Sequence, residues 1–299
     1  MERTQIKFSK LPDRITAGEE LYGEIDIVIT EKLGPSTLVI NLLGRESIKL
    51  RTAEENSPVC SDSIEVSSFF NEEVKNNWGN LSKGKSSVNF LIELKKTLPA
   101  SCEATNFNDT GKIFYVLKAK LISNSVKIAT TKFPIIILPR VKGTRSKEIN
   151  LQLSRSCFNN GSLLLFFIVD RLFWKLSDKF FAEVFINSNN CKAQINTIIY
   201  ELWKKITLRD KKERLEQWNS IIVRKNESIS LSKGGALLDE GKIHVEIDLP
   251  EFEDKINNNV STKGELFACE YYLRIRAVGR RYCFRVDGFV DIPIVFTNY

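Results

Sequence analysis

Apolar and polar residues alternate with a period of two in short runs along most of the chain, and stripes with helical spacing are nearly absent. From Ile113 to Leu121 the positions Ile113, Tyr115, Leu117, Ala119 and Leu121 alternate with Lys112, Phe114, Lys118 and Lys120. Side chains two apart on a strand share a face, so this run predicts a strand with one buried side. The same alternation marks Tyr22 to Thr30, Thr37 to Leu43, Val88 to Leu94 and Lys127 to Leu138. Turn-forming residues separate the runs: Ala17-Gly18, Leu33-Gly34-Pro35, Asn56-Ser57-Pro58, Asn76-Asn77, Leu98-Pro99 and Asn108 to Gly111. Cys102-Glu103 is expected to close a turn ahead of Gly111. Short strands at this spacing predict an all-β fold of antiparallel sandwiches of the immunoglobulin-like Greek-key type. Parallel α/β folds would need long amphipathic helices between the strands.

The strand Phe133 to Leu138 stops at Pro139 and gives way to Arg, Lys, Gly, Thr and Ser before patterning resumes at Ile149. That break predicts domains over residues 1–139 and 148–299 with a linker at 140–147. The second half repeats the grammar of the first in Leu163 to Val169, Phe180 to Asn187, Ala193 to Leu202, Glu270 to Val278 and Phe289 to Phe296. Two tandem sandwiches are therefore expected. Asp210 to Ser220, with Leu215 and Trp218 three apart among charges, reads either as a short helix or as a hairpin tip. Gly18 and Gly23 suit turn and bulge positions, and Ile25, Ile27 and Ile29 are expected to face the core with Asp26 outward.

Composition narrows the chemistry. The 299 residues are 42% hydrophobic, enough for a substantial core, and include a single histidine and six scattered cysteines without a Cys-x-x-Cys pair. One histidine, His244, excludes a His-rich metal site, and its place in Lys242 to Ile247 is the solvent side of a strand. The sequence has no Gly-x-Ser-x-Gly elbow and no phosphate-binding loop, and its paired carboxylates fall in expected turns. No catalytic, metal or cofactor-binding residue is assigned, and the chain is read as a non-enzyme. It has no apolar run long enough to span a bilayer and begins with charged residues, so it is expected to be cytosolic with no transmembrane segment.

Several segments taken in order resemble the arrestin clan, most closely its α-arrestin branch. Ile15-Thr16-Ala17-Gly18-Glu19 with Gly23-Glu24-Ile25 is similar to the opening of the amino-terminal domain, and Leu42-Leu43-Gly44 to the glycine that ends its next strand. Trp78 to Gly84 matches a Trp and Leu-x-x-Gly pair. Leu98-Pro99, Ser101-Cys102-Glu103 and Gly111 to Tyr115 match a "Leu-Pro, Ser-Phe-Glu, Gly-x-Ile-x-Tyr" segment, with Cys102 in place of Phe. Ile168 to Arg171, Asp178 to Asn187, Tyr271 to Val278 and Ile292 to Val295 resemble the carboxy-terminal domain. The resemblance implies a cytosolic adaptor or scaffold that binds cargo, receptor tails or trafficking subunits in endocytosis or endosomal sorting. It would act without a cofactor, recruited to endosomal or plasma membrane. A Vps26-type retromer subunit is the second relative it suggests. The arginine of the phosphate-sensing network is missing from Phe133 to Leu138, Asp13 reads as a turn cap, and no Pro-Pro-x-Tyr motif is present.

The net charge of +7 favours acidic partners. Nucleic acid is disfavoured because the basic residues are not interleaved with aromatics in a known RNA motif. Two cationic groups are candidate sites. Arg140, Lys142, Arg145 and Lys147, with Lys7 and Lys10 around the amino-terminal strand, are candidates for binding an acidic or phosphorylated protein segment. Lys204, Lys205, Arg209, Lys211, Lys212 and Arg214, with Trp203 and Trp218 nearby, are candidates for contact with an anionic phospholipid surface.

Overall fold

The alternating runs form strands in the computed structural model, which describes residues 3–53, 60–106, 109–141, 146–155, 158–171, 173–175, 177–232, 236–237, 242–252, 259–281 and 284–297. The first half supplies β1 (Gln5–Ser9), β2 (Arg14–Thr16), β3 (Glu20–Ile29), β4 (Leu33–Ala53), β5 (Cys60–Leu81), β6 (Gly84–Glu93), β7 (Cys102–Asn106), β8 (Asp109–Ser123) and β9 (Val126–Leu138). They make two sheets, one in the order β1-β3-β6 and one in the order β2-β9-β8-β4-β5 with β7 added to β8. Phe8 joins the two layers, its ring edge-on to Phe90 of β6 at 6.0 Å and to Phe133 of β9 at 6.5 Å. The period-two reading holds where it was clearest. Ile113, Tyr115, Leu117, Ala119 and Leu121 are at most 1% exposed, and Ile25, Ile27 and Ile29 at most 5%. Each such aliphatic side chain contributes roughly 1.5–3 kcal/mol on burial.

Several local expectations are corrected, among them the turn expected at Leu33-Gly34-Pro35, which opens β4, and that expected at Asn108 to Gly111, whose last three residues open β8. Asn76 and Asn77 lie inside β5, opposite Leu38 and Thr37, rather than in a turn. β5 is an edge strand rich in Ser, Asn and Glu, and its pairing with β4 supplies the order that its own pattern does not advertise. Cys102 and Glu103 open β7 opposite Ile113 and Lys112 rather than closing a turn. Gly44 does not end its strand. β4 continues to Ala53, and the register shifts there between Gly44 and Arg45. A Cβ at Gly44 would stand 2.7 Å from the Tyr115 ring and 2.9 Å from that of Phe69, so the glycine admits close ring packing. Gly18, with φ of +92°, turns the chain from β2 into β3, as expected. Gly23 sits within the regular β3–β6 register, against the rings and methyls of Phe90 and Leu11, without a bulge. The expected turn at Asn56 to Pro58 lies outside the described residues.

The second half supplies β10 (Ser146–Arg155), β11 (Phe158–Val169), β12 (Phe173–Lys175), β13 (Lys179–Asn187), β14 (Gln194–Arg209), β15 (Leu215–Leu231), β16 (Ala236–Leu237), β17 (Ile243–Asp248), β18 (Thr262–Lys263), β19 (Phe267–Arg281) and β20 (Phe284–Thr297). These follow the order β15-β14-β19-β20-β10-β11-β13, with β16 and β17 on β13, and form a second β-sandwich. Its core includes Leu165, Phe167, Phe180, Val184, Ile275 and Ile294. Asp210 to Arg214 is a turn between β14 and β15, so the hairpin reading of that segment stands and the helix does not.

Two compact units result, one of Met1–Arg140 with Thr207–Glu216 and Thr262–Ala268, the other of Val141–Ile206, Gln217–Ser261 and Cys269–Tyr299. Two segments of the second half thus fold as part of the first unit. Glu46 of β4, 1% exposed, receives one of them: Oε1 accepts the N–H of Glu265 at 2.9 Å and Oε2 that of Leu266 at 2.5 Å. A Cβ at Gly264 would overlap this carboxylate. Among the described residues no helix is long and apolar enough to cross a membrane, and Cys102, Cys191 and Cys269 are buried thiols.

Candidate functional site

The first cationic group centres on β1. Among the described residues this strand hydrogen-bonds to β3 alone and ends its sheet, so its other side carries no strand partner. Ile6 and Phe8 point into the core while Lys7 is exposed between them. Lys10 follows in a left-handed conformation, φ +50°, and its Nζ lies 2.5 Å from Glu24 Oε2. The hydrogen bond and charge of Glu24 raise the Lys10 ammonium above its ordinary value, and Lys10 holds the Glu24 carboxyl below its own. On β3 and β6, the directly opposed pair Tyr22 and Leu91 is 60% and 39% exposed. Sequence reasoning missed that pair, because Tyr22 opens a run that otherwise reads as core.

Arg140 is exposed at the end of the first unit and approaches the β2–β3 turn, with Nη1 3.0 Å from where a Cβ of Gly18 would stand. Lys147 lies on β10. Lys142 and Arg145 fall outside the described residues. Asp13 is exposed and contributes its main-chain carbonyl to the N–H of Ile136 at 3.3 Å.

The second cationic group is dispersed by its strand. Lys204 is buried at 6% exposure, on the inward side of β14 with Leu202, Ile206 and Leu208. Lys205, on the other side, is half-buried. Trp203 stacks on Tyr272 at 6.1 Å with planes 5° apart, carries the Arg274 guanidinium 4.7 Å from its ring, and donates from Nε1 to Glu201 Oε2 at 2.9 Å. It belongs to a side-chain ladder rather than to a free surface.

Arg209, Lys211, Lys212 and Arg214 are exposed around the hairpin tip, next to Leu215 at 51% exposure. Asp210 organises the tip by accepting the N–H groups of Lys212 at 2.9 Å and Arg214 at 2.8 Å, and the Arg214 Nε–H at 2.5 Å. Burial pushes its carboxyl up, but the bonds and charge of Arg214 outweigh that and hold it below the ordinary range. Lys211 also donates its main-chain N–H to Glu65 Oε2 at 2.9 Å.

His244 sits on the outward side of β17, 66% exposed, with Nδ1 3.7 Å from Glu183 Oε1. It lines an open recess of about 460 Å³ with Asp170, Phe181, Glu183 and Glu246. Among the described residues no hydroxyl or thiol side chain lines that recess, so none of these offers His244 a nucleophile to activate. Among the described residues no group of three or more His, Cys, Asp or Glu side chains is placed to hold a metal ion.

No known protein family matches the chain, and no curated protein matches it.

Proposed function

We propose that this chain is a non-enzymatic adaptor of the arrestin type, cytosolic and acting in endocytic or endosomal sorting, that holds an acidic extended segment of a partner protein along the open edge of β1. The observation that carries the reading is that edge, flanked by exposed Lys7. An open strand edge offers main-chain donors and acceptors to an added strand, and alternate side-chain positions select its sequence. Lys7 supplies a charge for carboxylate or phosphate groups, and Arg140 a second one. Lys10 contributes less, because Glu24 already neutralises it. The two-sandwich architecture and the order of the motifs support the adaptor class. A retromer-type coat subunit remains the second reading from the resemblance.

The test is fluorescence anisotropy of a labelled glutamate-rich phosphoserine peptide with the full chain, combined with hydrogen exchange. Binding should slow exchange in β1, and Lys7→Glu with Arg140→Glu should weaken it at least about tenfold, given 1.5–3 kcal/mol for a charge-assisted bond. Unchanged exchange in β1 on saturation, or full affinity in the double variant, rejects edge addition.

A further inference from the structure

The outward side of the β2-β9-β8-β4-β5 sheet carries a set of cations that neither the edge reading nor the hairpin tip uses. The register assembles it. Lys118 and Lys120 are two apart on β8, Lys118 lies directly opposite Lys132 of β9, and Ile122 lies opposite Lys127. Arg45 lies on the same side of β4, four residues from Asn41, which is opposite Lys118. Among the described residues no carboxylate stands within ion-pair distance of these five cations. Glu73, which feels Lys120, is held by Lys75 at 2.6 Å and by Asn41 at 3.0 Å.

Lys120 first, then burial, then Lys132, Lys127 and Arg45 push the Lys118 ammonium below its ordinary value. Like charges directly opposite on a sheet are destabilising, and Glu73, the carboxylate that feels Lys120, is shared with Lys75 and offsets only part of this repulsion. Protection of an edge accounts for Lys127 and Lys132, on the stretch of β9 that pairs with β8 alone, but not for Lys118 and Lys120, because β8 lies between β9 and β4 in the sheet. The same side also bears Ile64 and Val66 of β5, opposite Lys49 and Ser47 and 68% and 50% exposed.

We propose that this sheet face docks on an anionic phospholipid leaflet, with Lys118, Lys120, Lys127, Lys132 and Arg45 against the headgroup phosphates and Ile64 and Val66 entering the interface. Five adjacent strands span roughly 20 Å at ordinary strand spacing, a broad surface suited to a bilayer rather than a groove for one peptide. Cations beside exposed aliphatic side chains match a leaflet in both charge and apolar depth. An acidic peptide would leave Ile64 and Val66 unexplained.

The test is flotation of the full chain with phosphatidylcholine vesicles and with phosphatidylcholine–phosphatidylserine vesicles at low and high salt. Binding is expected only to the anionic vesicles, weakening as salt rises. Lys118→Gln, Lys120→Gln and Lys132→Gln together should lower partitioning roughly a hundredfold. Ile64→Ser with Val66→Ser should lower it about tenfold. The lysine variant should unfold at the same or a higher temperature, since it removes repulsion.

Equal binding to neutral vesicles, or wild-type partitioning by the lysine variant, overturns the proposal. So does loss of binding confined to Arg209→Gln, Lys211→Gln and Lys212→Gln, which places contact at the hairpin tip. Binding of a polyglutamate peptide by the lysine face without any binding of vesicles overturns it too.

Discussion

Replacing Glu46 by alanine removes the acceptor for two main-chain N–H groups of the 265–266 turn, one of them on Leu266, which is 3% exposed. Hydrogen bonds to a charged group contribute about 1.5–3 kcal/mol each, and an abandoned buried N–H costs about 1–3 kcal/mol. Release of the buried carboxylate from its own desolvation offsets part of this. The net loss should be about 3 kcal/mol, which corresponds to a fall of roughly 6–12 °C in the unfolding midpoint at this size. Urea denaturation followed by circular dichroism measures it, and faster hydrogen exchange at the Leu266 amide localises it.

The pH dependence supplies a second readout of the same contact. Burial raises the Glu46 carboxyl above its ordinary 4.5, against the lowering effect of the N–H groups of Leu266, Glu265 and Phe267. A folded pKa above the unfolded one means that the native state binds the proton more tightly. The contribution of Glu46 should therefore grow as pH falls through its folded pKa and be complete below 4.5. The stability difference between wild type and Glu46→Gln isolates this from carboxylates that behave in the opposite way. A loss below about 1 kcal/mol in Glu46→Ala, or a wild-type advantage over Glu46→Gln that shrinks on acidification, would refute a stabilising role for the Glu46 contact with the 265–266 turn.

Tyr115→Phe removes the hydrogen bond from the buried phenol to the Pro99 carbonyl at 2.6 Å and should cost about 1–2 kcal/mol by urea denaturation. The ring contact with Phe69 is retained in that variant. Asp210→Asn should loosen the β14–β15 tip, read as faster exchange at the Lys212 and Arg214 amides. Because the Asp210 carboxyl is held below its ordinary 3.8, its contribution is present above that pH and lost as pH falls through the folded value. The asparagine variant should accordingly show a shallower loss of stability in acid than the wild type.

The architecture was legible wherever one side of a strand was buried and the other wet. β3 and β8 announce themselves because Ile25, Ile27 and Ile29, or Tyr115, Leu117 and Ala119, must all face one core. β5 and β15 did not, for a physical reason. Each ends its sheet path, and their exposed positions outnumber the buried ones, so polar residues occupy positions that alternation would assign to the core. Glu46 shows the opposite failure. It occupies a core position between Leu42 and Ile48, where a sequence reading expects a hydrocarbon, and its partners lie about 220 residues away in the chain.

The candidate surfaces follow the same logic, since charge is visible in a sequence but its grouping is not. Lys204 sits among Lys205, Arg209, Lys211 and Lys212 in the chain, yet strand alternation turns it inward with Leu202 and Ile206. Conversely, Lys118, Lys120, Lys127, Lys132 and Arg45 come from three strands; four of them fall within residues 118–132, but the sequence does not say which of them share a side. Only the cross-strand register, Lys118 opposite Lys132 and Asn41, brings them onto one side. A linear cluster on a strand is divided between two faces, whereas a cluster assembled across strands shares one. For a chain built almost wholly of sheet, register is therefore the better guide to where cations gather on one side, and it gathers more of them on the β8 face than at the hairpin tip.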